Sequence, residues 1–311
     1  MTSLLTIPQT QLHVHPLCLG GNVFGWSADE TESFAVLDAY FEAGGNFIDT
    51  ADVYSEWKPG NSGGESETIL GNWMKSRGNR SKIVIATKVA KYSQHPGLSA
   101  ENIRSAARES LHRLQTDYID LYYAHEDDEN VAFEETNQAF NELVTDGKVR
   151  YLGASNFTAD RLKGSIELSQ ANGFAHYVAI QNQYNLLFRN PYESEMAPTL
   201  SDLGISSLPF FGLARGFLTG KYREGVVVDS VRAGGVSDYQ NERGWKTISA
   251  LEKIATSHDT TIASIALAWL RAQPTVCAPI ASARTVAQLK EIIVVVELSN
   301  AEINELSALT A

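Results

Sequence analysis

With 311 residues, 43% of them hydrophobic, the chain can bury a large core, and one barrel of ~250 residues plus insertions accounts for its length as a single domain, 1–311. A formal net charge of −12 disfavours nucleic acid or anionic membrane as a partner, because phosphate surfaces are bound by clustered Lys and Arg. Two cysteines, Cys18 and Cys277, are too few for a disulfide framework and read as small buried hydrophobes in separate strands.

The amino terminus has no basic segment, and no run reaches the ~18 apolar residues of a membrane span, so a cytoplasmic protein is expected. Residues 4–19 are β-prone but broken by Pro8 and Pro16, which predicts a small hairpin plugging the bottom of a barrel. The first barrel strand is Leu17-Cys18-Leu19, followed by Gly20-Gly21 and Asn22. Helical spacing at Phe34, Leu37 and Phe41 leads to a second strand, Phe47-Ile48, which ends at Asp49. The run 83–87 ends at Lys88, and a helix carrying Ile103, Ala107, Leu111 and Leu114 leads to the run 119–124, which ends at His125. After a helix with Phe133, Asn137, Phe140 and Val144, the run 151–154 ends at Ser155-Asn156 and the run 177–180 at Gln181. The last two strands are 206–209, ending at Phe210-Phe211, and 276–280, before Ser282.

Eight short, near-continuous apolar runs alternating with helical patterns predict an α/β fold, a (β/α)8 TIM barrel with an N-terminal hairpin and long catalytic-face loops. An open doubly wound sheet usually has fewer units and a G-x-G-x-x-G after its first strand, which is missing here. Residues 221–245 contain Gly225, Gly234, Gly235 and Gly244 with little periodicity, and are expected as a mobile loop on the catalytic face.

In such a barrel the chemistry sits at the strand carboxyl ends, where Asp49, Tyr54, Lys88 and His125 all lie. Taken singly they read as a loop tyrosine, a surface cation and a satisfied histidine; their shared address makes them a site. A phenol with a pKa near ~10 must be pushed down to give up a proton near neutrality, and Lys88 is expected to do this. Asp49 would hold Lys88 ionised, while a neutral His125 would hydrogen-bond a substrate oxygen. The group reads as carbonyl polarisation, and the hydride that reduction needs points to a nicotinamide cofactor on the same face. Phe210 could stack on the nicotinamide, and Ser155, Asn156 and Gln181 could hold its carboxamide. Phe211, Gly212, Leu213, Arg215, Gly216 and Lys221 offer backbone amides and two cations for a pyrophosphate, with Asn22 nearby. Trp26, Trp57 and Tyr92, on loops after the first three strands, are expected to form an apolar substrate mouth.

Two other patterns read as structural. His13 and His15 share a strand face but lack a third metal ligand, so a solvated hairpin is expected. Glu126-Asp127-Asp128-Glu129 lacks calcium-loop spacing and reads as a solvated loop that disfavours anionic substrates.

The opening Asp49-Thr50-Ala51-Asp52-Val53-Tyr54, with Lys88 ending the third strand and His125 the fourth, resembles the aldo-keto reductase superfamily, in particular bacterial NADP-dependent members. The likeness extends to Gly63-Gly64-Glu65-Ser66-Glu67, to Gly153-Ala154-Ser155-Asn156-Phe157, to Gln181-Asn182-Gln183-Tyr184-Asn185 and to Gly216-Phe217-Leu218-Thr219-Gly220-Lys221-Tyr222, so landmarks span residues 17–292. It implies reversible reduction of an aldehyde or ketone with NADP(H), Tyr54 as proton donor, Lys88 and Asp49 tuning it, and His125 orienting the carbonyl. Three departures stand out. Phe210 replaces a tyrosine or tryptophan, Ser282 stands where many animal members have a lysine, and Ile292 replaces an asparagine. Arg284 then looks like the substitute cation for a 2′-phosphate, with Gln288 and Glu291 toward the adenine. The loop 55–64 resembles that of bacterial members and is expected at the substrate mouth. A small-molecule carbonyl partner and a monomer or weak oligomer are expected. Alternatives are a cofactor-sensing protein like the potassium-channel β subunits, and Schiff-base chemistry on Lys88, which Asp49 opposes by keeping the amine protonated.

Overall fold

The computed structural model describes residues 3–226, 228 and 235–310. Strands β1 (Leu5–Thr6) and β2 (His13–Val14) form an antiparallel hairpin with Leu5 opposite Val14. Eight parallel strands follow: β3 (Cys18–Gly20), β4 (Phe47–Asp49), β5 (Val84–Val89), β6 (Ile119–Ala124), β7 (Val149–Ser155), β8 (Tyr177–Gln181), β9 (Ser206–Ser207) and β10 (Ile280–Ala281). Their order is β10-β3-β4-β5-β6-β7-β8-β9.

The two ends of that order meet. Ser207 bridges Val276 in parallel, and the Cys277 amide donates to the Ser207 carbonyl at 2.9 Å. The expected strands 206–209 and 276–280 are shorter than foreseen because each contains a proline, which has no N–H to give to a ladder. Both prolines still accept, Pro209 from the Ile280 amide at 2.9 Å and Pro279 from the Cys18 amide at 3.0 Å. The barrel therefore closes through carbonyls at this seam.

Helices α1 (Glu30–Glu42), α2 (Glu65–Arg77), α3 (Ala100–Leu114), α4 (Phe133–Thr145), α5 (Ala159–Ala171), α6 (Ala197–Leu203), α7 (Glu242–Ser257), α8 (Ile262–Arg271) and α9 (Val286–Ile292) connect or cover the strands, and α10 (Asn300–Leu309) follows. Side-chain caps start several of them: the Asp29 and Ser299 carboxylate and hydroxyl close capping boxes with Glu32 and Glu302, and Ser99 caps α3. No helix among the described residues is long and apolar enough to cross a membrane.

The hairpin plugs the barrel as expected. Ile7, Leu12 and Val14 are buried in one apolar cluster with Cys18, Phe47, Val84, Ala86, Leu121, Tyr123 and Ala179. Side chains alternate along a strand, so the parity that sends those residues inward fixes what comes next. Two residues beyond Phe47, Ala86, Tyr123 and Ala179 stand Asp49, Lys88, His125 and Gln181.

Four expectations are corrected. The segment 221–245 is not loop throughout, since Ser237–Tyr239 forms a 3-10 turn and α7 already starts at Glu242; its residues 227 and 229–234 lie outside the described ones. His15 is buried rather than solvated, edge-on to Tyr40 at 5.7 Å between ring centroids, and its Nδ1 accepts from the Leu17 amide. The acidic run is partly consumed by the fold: Asp127 holds Arg161 through both carboxylate oxygens, and Asp128 accepts from the amides of Leu98 and Asn130. Finally, Cys18 and Cys277 are free and buried, but Cys277 lies just outside β10.

Candidate active site

Lys88 Nζ donates to Asp49 Oδ2 at 2.7 Å, to the Thr50 carbonyl at 2.7 Å and to the Tyr54 hydroxyl at 2.9 Å. Three acceptors use all three protons of the ammonium. The Tyr54 hydroxyl in turn donates to Asp49 Oδ2 at 3.2 Å, and Gln181 Nε2 donates to Asp49 Oδ1 at 2.7 Å. The His125 ring lies edge-on to Tyr54, 6.0 Å between centroids, and its buried Nδ1 has no partner among the described residues. Asn156, at φ 58°, donates from Nδ2 to the His125 carbonyl at 2.9 Å and so ties the end of β7 to the end of β6.

The electrostatics correct one expectation. Burial drives the Tyr54 phenol well above its ordinary pKa, and the Asp49 carboxylate adds to the rise. Lys88, donating to the phenol at 2.9 Å, does not cancel that rise. Tyr54 therefore holds its proton. Burial lowers the Lys88 pKa while Asp49 opposes that shift, and burial, then Lys88 and Lys91, push the His125 imidazole well below its usual range, leaving it neutral. Behind this group Asp52 is buried with both carboxylate oxygens unpartnered among the described residues. Its pKa is raised to about 8 by burial and by nearby Glu67, whose carboxylate already binds Arg113 at 2.6 Å and Thr87 at 2.5 Å.

Asp49, Tyr54 and His125 open on a cavity of about 870 Å³, and all the residues named from sequence for cofactor contact line it, from Asn22 through Glu291. Lys88 stands behind that wall, 1% exposed. On the β9 side, Phe211, Ala214, Arg215 and Gly216 have φ of 53°, 47°, 57° and 98°. Non-glycine residues in this region cost ~1–3 kcal/mol each and cluster at ligand sites, and such turns are the backbone form of anion-binding nests. The Arg215 guanidinium lies 4.3 Å from the Phe211 ring centre. On the β10 side, Ser282 Oγ donates to Asn22 Oδ1 at 2.5 Å, and a Cβ on Gly20 would fall 2.5 Å from that hydroxyl and displace it. Gln288 Oε1 accepts from the Arg284 amide at 3.0 Å, while no ion pair ties up the Arg284 guanidinium among the described residues. An aromatic face, a polar carboxamide pocket, an anion nest and an available guanidinium together fit a nicotinamide dinucleotide.

The three aromatic residues expected at the substrate mouth separate. Trp57 lines the cavity, 47% exposed, with Tyr54 6.0 Å and Trp26 5.8 Å away edge-on. Trp26 backs Trp57 without reaching the cavity wall, and Tyr92 stands over Gly63 and beside His95, off that wall. Val23, Lys91 and Gln183 also line the cavity and were not named as site residues from sequence. Lys91 and Gln183 lie within three residues of Lys88 and Gln181, so the same strand-end rule would have found them.

A family model described as the Aldo/keto reductase family matches residues 16–311. "Uncharacterized oxidoreductase YrpG" of Bacillus subtilis is 36% identical over 94% of this chain and 90% of its own length. "Protein tas" of Escherichia coli is 34% identical over 91% of this chain and 90% of its own. "Norsolorinic acid reductase" of Aspergillus flavus is 33% identical over 90% of this chain and 73% of its own.

Proposed function

The chain belongs to the aldo/keto reductase family of oxidoreductases, and from that premise we propose that it reduces an aldehyde or ketone to the alcohol, reversibly, with NADPH and with Tyr54 as general acid. The observation that carries this reading is the Tyr54 hydroxyl, held between Lys88 and Asp49 and opening on the cavity beside a neutral His125.

Bound nicotinamide supplies the hydride. Ser155, Asn156 and Gln181 would hold its carboxamide and Phe210 its ring. Phe211, Gly212, Leu213, Arg215, Gly216 and Lys221 would hold the pyrophosphate with Asn22 at the floor, and Ser282, Arg284, Gln288 and Glu291 would hold the adenosine end. His125 presents an imidazole that can hydrogen-bond the carbonyl oxygen and fix its direction. Tyr54 then gives its proton to that oxygen. The phenolate left behind is costly in a buried site, and Lys88, already donating to it at 2.9 Å, offsets that cost. Asp49 keeps Lys88 charged and aimed, and Gln181 keeps Asp49 in place. In the reverse direction the same phenolate takes the proton from the alcohol.

Tyr54→Phe should lower turnover by ~10²-fold or more while cofactor affinity stays within a few-fold. Steady-state oxidation of NADPH with a panel of aldehydes measures the first and a fluorescence titration the second. Turnover within a few-fold of the parent would rule out Tyr54 as the acid. Repeated turnover by the parent also separates an enzyme from a protein that only senses the cofactor.

A further inference from the structure

Lys91 stands on the cavity wall with Tyr54, Trp57 and His125. The cavity's other cations, Arg215, Lys221 and Arg284, follow β9 and β10, whereas Lys91 follows β5 on the opposite arc of the barrel. It therefore does not belong to the anion nest or the adenosine end. Its placement is built into the backbone: Ala90 has φ +113°, and the Gly97 amide holds the Ala90 carbonyl at 2.9 Å. A non-glycine residue at that φ is strained, and strain of this kind persists where a site uses the geometry it produces.

The Lys91 ammonium pairs with Glu126 at 3.1 Å, with the two side chains 37% and 45% exposed. A pair this open is worth ~0–1 kcal/mol, so a ligand carboxylate can replace Glu126 at small cost. Of the carboxylates that follow Glu126, Asp127 is committed to Arg161 and Asp128 to the Leu98 amide. Lining the same cavity as Lys91, the half-exposed indole of Trp57 offers an apolar face 6.0 Å from the Tyr54 ring. The mouth thus combines one exchangeable cation with one flat apolar surface.

We propose that Lys91 is a specificity residue that selects carbonyl substrates bearing a carboxylate, the substrate's anion displacing Glu126 while Trp57 receives its apolar body. This rests on the carbonyl-reductase reading and names its substrate class. Glu126 acts as the internal stand-in for the substrate's charge.

The test compares 4-carboxybenzaldehyde with benzaldehyde, alike in reacting group and differing in one charge. In Lys91→Gln the ratio of their kcat/KM values should fall ~5- to 30-fold, the range of one partly exposed charge-assisted contact. In Glu126→Gln, which frees Lys91 of its competitor, the same ratio should rise ~2- to 5-fold. Opposite movement in the two variants is the signature; a structural defect would move both aldehydes together. Quenching of tryptophan fluorescence by each aldehyde gives the binding preference without turnover. Turnover with a ratio that neither variant moves overturns the role of Lys91 and leaves the reductase reading standing. Binding preference that follows Lys91 without turnover keeps its contact with a carboxylate and sinks the reductase reading with the substrate class built on it, and absence of both overturns both. Should Lys91→Gln fail to fold, Glu126→Gln carries the test alone, an unchanged or lowered ratio overturning it.

Discussion

Asp52 is a carboxyl group with no partner for either oxygen among the described residues, two positions from the proposed general acid. Its pKa near 8 means that it is neutral at pH 7, while in the unfolded chain it ionises near 3.8. Between those values the folded state holds a proton that the unfolded state has lost, so stability falls as pH rises from about 4 to 8 and then levels off. Asp52→Asn removes that slope. The variant should gain on the parent by an amount on the order of a few kcal/mol at pH 9 and little at pH 4, and urea midpoints across this range would show it. A parallel pair of curves would mean that Asp52 ionises normally. Arg284 makes the second prediction at this scale: a guanidinium contact to a 2′-phosphate is worth roughly 1.5–3 kcal/mol, or about 10- to 150-fold in affinity. Arg284→Ala should weaken NADPH by that factor and NADH far less. Equal losses for both cofactors would make Arg284 a surface cation.

Among the elements, the hairpin is the one whose removal should leave the chemistry alone. Ile7 is fully buried in the apolar cluster at the barrel's lower end, so Ile7→Ala should cost ~2–5 kcal/mol in denaturant unfolding. Turnover of the folded variant at saturating substrate should match the parent; a large loss would mean that the plug shapes the site as well as the core. Which elements could be read in advance follows from the same physics. The runs ending at Asp49, Lys88, His125 and Gln181 were legible because continuous apolar strands keep strict parity, and parity aims the next polar residue at the axis. The lengths of β9 and β10 were not, since Pro209 and Pro279 sit in apolar runs that look like strand until the missing donors are counted. Loop side chains have no period, which is why Trp57 and Tyr92 looked alike in sequence although Trp57 lines the cavity and Tyr92 does not. The direction of the Tyr54 shift is set first by burial and then by the Asp49 carboxylate, and spacing cannot give the depth of a side chain.

Across the whole molecule, the cavity draws residues from the loops after β3 and β4 as well as those after β9 and β10, so it straddles the closing seam. A dinucleotide bound there would hold that seam from both sides, and NADPH at 100 times its Kd should add about 2.7 kcal/mol to stability. A rise in Tm of roughly 5 °C is expected, readable by thermal shift; no rise at saturation would mean that the dinucleotide does not occupy the cavity. A barrel stoppered below by Ile7, Leu12 and Val14 sends its traffic through the loop end, and on the proposed reading two molecules share that doorway. Gln181 and Ser155 are buried, whereas Trp57 is half open to solvent, so the dinucleotide takes the inner berth and the carbonyl compound the outer one. The inner guest has to arrive first and depart last. The alcohol would leave each cycle ahead of the oxidised dinucleotide, and the waiting time of that last departure, set by loops rather than by the tyrosine, would govern how often the doorway reopens.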